Sequence, residues 1–340
     1  MRAVPNSFSP PLRLPLHPQG ALTANYSSHA SWPLVPRSSG LRFDYPLICA
    51  SSYDLLFGCH TIEPDKVAIA AYALLRYHLV TGDASALEAA LHSASVLAAA
   101  QGDGNATHAP WPFRVDAANG RSVNGFKNGN SAFPLRLFSL LVQEGHAQFA
   151  PNLARLWSWV LHTQLESLNV ANHSSHDYGN QFVNFHEDIE AGDDANRNSW
   201  TALELARFLI ESRGSGAVPD WRARVLQLID YSLQLFSHAQ IGNTTIMGEQ
   251  DRDHKAWGGA NSKLAAVSLM LSCAGEQQHH QMGVNNALWM AYFVDPSDGC
   301  PAAASFTVNA AVERGGWQQD AHTDVVHSLV DALNALDGVC

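Results

Sequence analysis

The chain has 340 residues, 46 % of them hydrophobic and only 15 % charged, with 20 Lys plus Arg against 31 Asp plus Glu for a net charge of −11. No apolar run approaches the ~18 residues of a membrane-spanning helix, and the acidic balance lacks the clustered cations that phosphate recognition demands. No membrane span and no nucleic-acid partner are expected, while the length suffices for a sizeable core.

In chain order, residues 1–40 come first, rich in proline and serine and without periodic apolar positions. They read as a poorly packed tail, with no apolar run after a basic start to mark a signal peptide. Cys49–Phe57 reads as a short first helix. From Val67 one pattern takes over. Val67, Ala70, Ala71, Leu74, Leu75 and His78 recur at helical spacing, Thr81-Gly82-Asp83 breaks the run, and Leu87, Ala90, Leu91, Ala94 and Leu97 begin a second helix. Glycine ends one helix and aspartate caps the next, which makes a tight αα-hairpin. The same alternation returns around Gly145, around Gly214 and Gly216, and around Gly275. A last helix runs through Val326, Leu329, Val330 and Leu333. Period-2 strand signals are nearly absent.

The hairpins start about 60 residues apart, a supersecondary repeat. Their internal turns are short, whereas the spacers between them are long: 102–130, 164–198, 241–259 and 295–319. In an up-down array the short turns fall at one end and the long spacers at the other. Asp116, Asp188, Glu249 and Trp257 are thus expected at one rim, and Gly82, Gly145, Gly214 and Gly275 at the opposite end. Long loops in a compact domain carry function, so the rim is the expected site.

Helical hairpins with a Thr81-Gly82-Asp83 turn, followed by a loop containing Trp111-Pro112-Phe113, resemble the six-hairpin glycosidase-like (α/α) toroids. Glycoside hydrolases, polysaccharide lyases, sugar epimerases and terpenoid cyclases share that ring. The resemblance covers 41–340 and implies an all-α toroid as a single domain. About ten helices are readable against the twelve of six full hairpins. Either the ring is incomplete or the remaining helices lie in segments read as loops.

The spacers carry a sugar-binding mixture of residues. Aromatic faces stack on pyranose rings, while amides, guanidinium groups and carboxylates meet the hydroxyls. Trp111, Arg114, Asp116, Asn128, Asn184, Arg197, Arg252, His254 and Trp257 are the candidate substrate contacts. Hydrolysis of a glycosidic bond needs two carboxylates. One of Glu187 or Asp188 is expected to face one of Glu249 or Asp251. The same loops would suit β-elimination in an acidic polysaccharide, with Tyr178 or His186 as base and Asn184, Arg197 or Arg252 neutralising the uronate. The leading expectation is a carbohydrate-active enzyme of the glycoside hydrolase type. The alternatives are a lyase or uronate-processing enzyme and a non-catalytic glycan-binding module.

A terpenoid cyclase is disfavoured because its DxDD and DDxxD motifs are missing. No Walker or Rossmann glycine motif appears, so no cofactor is expected. His173, His176 and Asp177 lack the HExxH arrangement, and no metal is expected either. The five cysteines contain no CxxC pair and read as buried or incidental thiols. Sequons begin at Asn25, Asn105, Asn172 and Asn243, against roughly two expected by chance, which leans towards secretion.

Overall fold

A computed structural model describes residues 61–116, 121–122, 128–168, 185, 197–249, 255–291, 305–307 and 319–338. The proline-rich tail and the expected helix Cys49–Phe57 lie outside them. Nine α-helices occur among the described residues. They are α1 (Pro64–Thr81), α2 (Ala84–Ala100), α3 (Ala132–Gln143), α4 (Ala150–Trp159), α5 (Ser199–Glu211), α6 (Trp221–Phe236), α7 (Gly258–Cys273), α8 (His280–Ala291) and α9 (Gln319–Leu336).

Each hairpin forms for local reasons. Pro64 occupies the first turn of α1, where its missing N–H costs nothing, and Asp65 suits the positive end of the helix. The helix stops because Gly82 turns left-handed at φ 74° and its N–H returns to the His78 carbonyl. Asp83 then caps α2 by accepting the Ser85 N–H at 2.9 Å. The Ser85 hydroxyl and N–H also hold this exposed carboxyl below the usual range. Gly145 and Gly275 turn the same way after α3 and α7. After α5 the left-handed residue is Gly216 at φ 72°, the second of the two glycines in that turn.

The odd-numbered helices pack side by side as an inner layer, and each even-numbered helix lies outside its hairpin partner. Burial records this layering. Ser199 to Ile210 of α5 and Gly258 to Leu269 of α7 are buried on every face, as inner helices must be. Gly283 lets α8 press closely on α7, since a Cβ there would sit 2.6 Å from the Leu269 Cγ.

The two ends differ as expected from the loop lengths. Strand β1 (Thr61–Ile62), just before α1, pairs antiparallel with β2 (Val115–Asp116) from the first long spacer. The Ser199 N–H at the start of α5 donates to the Glu249 carbonyl at 2.9 Å. Two further hairpin strands, β3 (Ser237–Ile241) and β4 (Thr244–Met247), lead from α6 into the third long spacer, and β5 (Lys255–Trp257) pairs with β6 (Ser305–Thr307) directly before α7. Asp116, Glu249 and Trp257 therefore sit at the N-terminal ends of inner helices, while Asp188 lies outside the described residues. At the other end, Arg222 at the start of α6 donates to the Ala274 carbonyl at 2.8 Å and pairs with Glu276 at 3.3 Å, joining two of the short turns. The cysteines depart from expectation: Cys273, the last residue of α7, is disulfide-bonded.

Candidate functional site

The first turns of α1, α3, α5 and α7 converge, and loop segments are tied to each. In α3 the fixing element is a π-helical turn, Val160–Leu165, that continues α4. Its Gln164, fully buried, donates to the Gly129 carbonyl at 2.8 Å and accepts from the Ser131 hydroxyl at 2.6 Å. That brace holds Asn130, whose amide donates to one oxygen of Asp65 on α1 at 3.2 Å. In α5, Asn198 caps the helix by accepting the Trp200 N–H at 2.6 Å. The next two bonds matter more. The Asn198 N–H donates to the Phe185 carbonyl and the adjacent Ser199 N–H to the Glu249 carbonyl, each at 2.9 Å. Consecutive amides thus hold the second and third long spacers side by side. Phe185 is anchored by burial against Tyr231, at 4.9 Å between ring centroids.

Trp200 lies at the centre of this floor. Its indole stacks on Phe133 of α3 at 6.1 Å, and two ammonium groups approach it, Lys66 of α1 at 4.5 Å and Lys263 of α7 at 5.3 Å. Cations over an indole are attracted by the ring quadrupole, more strongly where water is excluded. Below Trp200 the charges knit together. Glu204 of α5 pairs with Lys263 at 3.1 Å and with Arg136 of α3, and Arg207 lies 3.5 Å away. Arg136 also pairs with Glu211 at 2.8 Å, and Arg207 with Asp331 of α9.

Two buried carboxyls differ, Asp65 in the floor and Glu204 in the column. At Asp65, burial dominates and pushes the carboxyl up to about 6. Lys66, 3.7 Å away, pulls it down and Glu63 adds to the rise. Its Oδ1 has no hydrogen-bond partner among the described residues, although the side chain is 1 % exposed. At Glu204 burial opposes ionisation too, but Lys263, Arg136 and Arg207 outweigh it and hold the carboxyl well below its ordinary range. Asp65 is thus a carboxyl that exchanges its proton near neutrality, whereas Glu204 is a fixed anion.

Of the residues expected from sequence, Glu249 lies at the rim beside α5. Arg197, buried, immediately precedes the cap Asn198. Asp116 and Trp257 lie in β2 and β5. Three others are built into the wall. Trp111 donates its indole N–H to the Leu97 carbonyl at 3.0 Å and packs on Phe138. Arg114 pairs with Glu63 at 3.0 Å, both fully buried. Asn128 donates to the Pro112 carbonyl at 3.2 Å and accepts from the Asn130 N–H. Tyr178, Asn184, His186, Glu187, Asp188, Asp251, Arg252 and His254 lie outside the described residues.

No protein-family model matches the sequence, and no curated protein is significantly similar to it. Solved structures are. A cellobiose 2-epimerase from Bacillus thermoamylovorans superposes with a TM-score of 0.61 at 11 % identity, covering 82 % of this chain and 73 % of that one. A sugar epimerase from a ruminal bacterium gives 0.59 at 12 % identity, again covering 82 % and 73 %. A family 76 glycoside hydrolase from a bovine Bacteroides thetaiotaomicron strain gives 0.53 at 11 % identity, covering 81 % of this chain and 56 % of that one. The chain has the (α/α) toroid fold.

Within the toroid, Asp65, Lys66, Trp200, Glu204 and Lys263 are the floor residues that sequence reasoning passed over, whereas Asn130 belongs to the polar set of the first long spacer. Pro64-Asp65-Lys66 reads as an ordinary helix start. Lys263 did carry a signal: it is the one charge in α7, a helix rich in small and apolar residues, and such a charge calls for a buried partner. A groove of about 840 Å³ opens at the opposite, short-turn end, lined by Tyr72, Arg76, Trp157 and Phe208 among others. It lies away from Asp65, and its Arg136 and Glu211 are committed to each other.

Proposed function

We propose that this toroid is a carbohydrate-active enzyme that cleaves a glycosidic bond at the N-terminal rim of its inner helices. The observation that carries the reading is Asp65. A carboxyl in the floor, with one oxygen unengaged among the described residues and protonated up to about pH 6, is what a general acid for a glycosidic oxygen requires. The second carboxylate is assigned to the adjoining spacers, to Glu187 or Asp188 and to Glu249 or Asp251. The neighbouring carbonyl contacts of Phe185 and Glu249 support that assignment, because those acids follow closely in sequence. In this scheme Asp65 protonates the leaving-group oxygen, and the loop carboxylate either activates water or attacks the anomeric carbon. Asn130 steadies Asp65, and Trp200 with its two cations shapes the floor. The sugar class rests on the fold shared with two sugar epimerases and a glycoside hydrolase.

A second reading is sugar epimerisation, favoured by the higher TM-scores of the two epimerases. There Asp65 would move a proton at a sugar carbon, and no glycosidic bond would break. A glycan panel incubated in D2O separates the readings. Hydrolysis yields new reducing ends and no carbon-bound deuterium, epimerisation yields carbon-bound deuterium without new ends, and elimination yields an unsaturated end absorbing in the near ultraviolet. Hydrolysis is the expected outcome, and Glu187→Gln or Glu249→Gln should lower it by about two or more orders of magnitude. Full turnover in both variants, with loss in Tyr178→Phe, would transfer the assignment to elimination.

A further inference from the structure

Cys273 is disulfide-bonded, and four other cysteines exist in the chain: Cys49, Cys59, Cys300 and Cys340. We infer that its partner is Cys340, so that a covalent strap fastens the C-terminal end of the chain to the short-turn end of α7.

The argument is one of reach. α7 has sixteen residues, about 24 Å at ~1.5 Å per residue, and Cys273 is at its far end from the rim. A disulfide needs Cα atoms about 4.4–6.8 Å apart. Cys59 stands two positions before Thr61, in the rim strand that opens α1, and two extended residues span only ~7 Å. Cys300 stands five positions before Ser305, and Ser305 pairs with Trp257 at the very start of α7. Five residues reach ~18 Å, so that pairing demands a fully extended chain running straight down the helix. Cys340 has no such difficulty. α9 packs along α7, and Ala332 and Ala335 of α9 share a buried apolar cluster with Leu269, against which Cys273 packs. α9 ends at Leu336, and Cys340 follows it by four positions, a reach of ~14 Å from a helix already beside Cys273. Cys49, twelve positions before Thr61, is not limited by distance and becomes an outcome of the test.

Formation of the bond oxidises both thiols and releases two protons and two electrons. A disulfide oxidant takes these up by thiol–disulfide exchange, first as a mixed disulfide with one cysteine and then as its own reduced dithiol when the second thiolate attacks. Such a bond persists in an oxidising compartment. Two of the four sequon asparagines agree with that setting: Asn105 and Asn243 are both exposed.

The deciding experiment is a non-reducing peptide map of the denatured full chain after cleavage at Lys, Arg and Glu. Cleavage after Lys263, Glu276, Glu313 and Arg314 places Cys273, Cys300 and Cys340 in separate peptides. The expected species is the Cys273 peptide joined to the C-terminal peptide and resolved by reduction. A Cys273 joined to Cys49, Cys59 or Cys300, or alkylated without prior reduction, overturns the inference. Cys340→Ser and Cys273→Ser should each lower Tm by about 5–10 °C, and the double variant should fall no further. Additive losses would count against a shared bond. If Cys273→Ser does not fold, the map on the unaltered chain decides alone.

Discussion

Asp65 and Glu204 are both buried carboxyls on inner helices, α1 and α5 on either side of α3, yet their ionisation runs in opposite directions. Asp65 faces one ammonium at 3.7 Å beside a second acid, Glu63, and its carboxyl rises to about 6. Glu204 faces three cations and stays ionised far below that. Burial is common to both, so the number of facing charges decides which acid keeps its proton. The difference separates two kinds of region. The floor at the rim tolerates an ill-satisfied acid at a cost in stability. The column beneath it is balanced and holds α3, α5, α7 and α9 together.

The largest effect should come from unbalancing the column. Glu204→Gln keeps the shape and leaves Lys263, Arg136 and Arg207 without their shared anion. Removing one partner of a buried ionic cluster costs about 3–5 kcal/mol, to be read as a fall of roughly 10 °C in Tm. A variant with unchanged Tm would mean that the column contributes nothing to cohesion.

Asp65→Asn should behave in the opposite sense. The folded carboxyl lies near 6 against an ordinary 3.8. The folded state therefore binds the extra proton between those values, and stability contributed by the neutral acid is lost as pH rises through them. The penalty above pH 6 is on the order of 3 kcal/mol. Relative to Asp65→Asn, the unaltered chain should lose that much stability between about pH 4 and 6, measured by denaturant unfolding at each pH. A constant difference across the range would place the carboxyl in water. The same variant should lose about two orders of magnitude in turnover while its Tm at pH 7 does not fall. Loss of both together would make Asp65 another member of the column.

Much of this architecture was legible in the sequence because local chemistry writes it there. Gly82 and Asp83 end and restart helices whatever surrounds them, and the contrast of short turns with long spacers sets the two ends. What escaped was set by distant contacts. The hairpin of β3 and β4 was hidden because its strands are held at one end by Asn261, whose amide bonds both the N–H and the carbonyl of Met247. Trp111 looked like a loop aromatic free to stack on sugar, but Phe138 is 27 positions away in sequence and adjacent in space. Asp65 was invisible for the converse reason. An acid in a first turn is ordinary, and only the scarcity of cations around it makes this one unusual.

The finest discrimination lies in removing one cation from each acid. Lys66→Gln deletes the ammonium that lowers Asp65, so its carboxyl should rise further. If Asp65 donates the proton, kcat/KM declines above its pKa, and the alkaline limb of the pH profile should move up with it. Lys263→Gln removes one cation of three from Glu204, which keeps Arg136 and Arg207 and remains ionised throughout. Both lysines also touch Trp200, so the two variants share any loss that arises from disturbing the indole. Only the position of the limb distinguishes them: shifted in Lys66→Gln, unmoved in Lys263→Gln. A limb that moves equally in both would trace to Trp200 and remove Asp65 from the chemistry. A limb that moves in neither would show that the titrating acid belongs to the spacers, among Glu187, Asp188, Glu249 and Asp251.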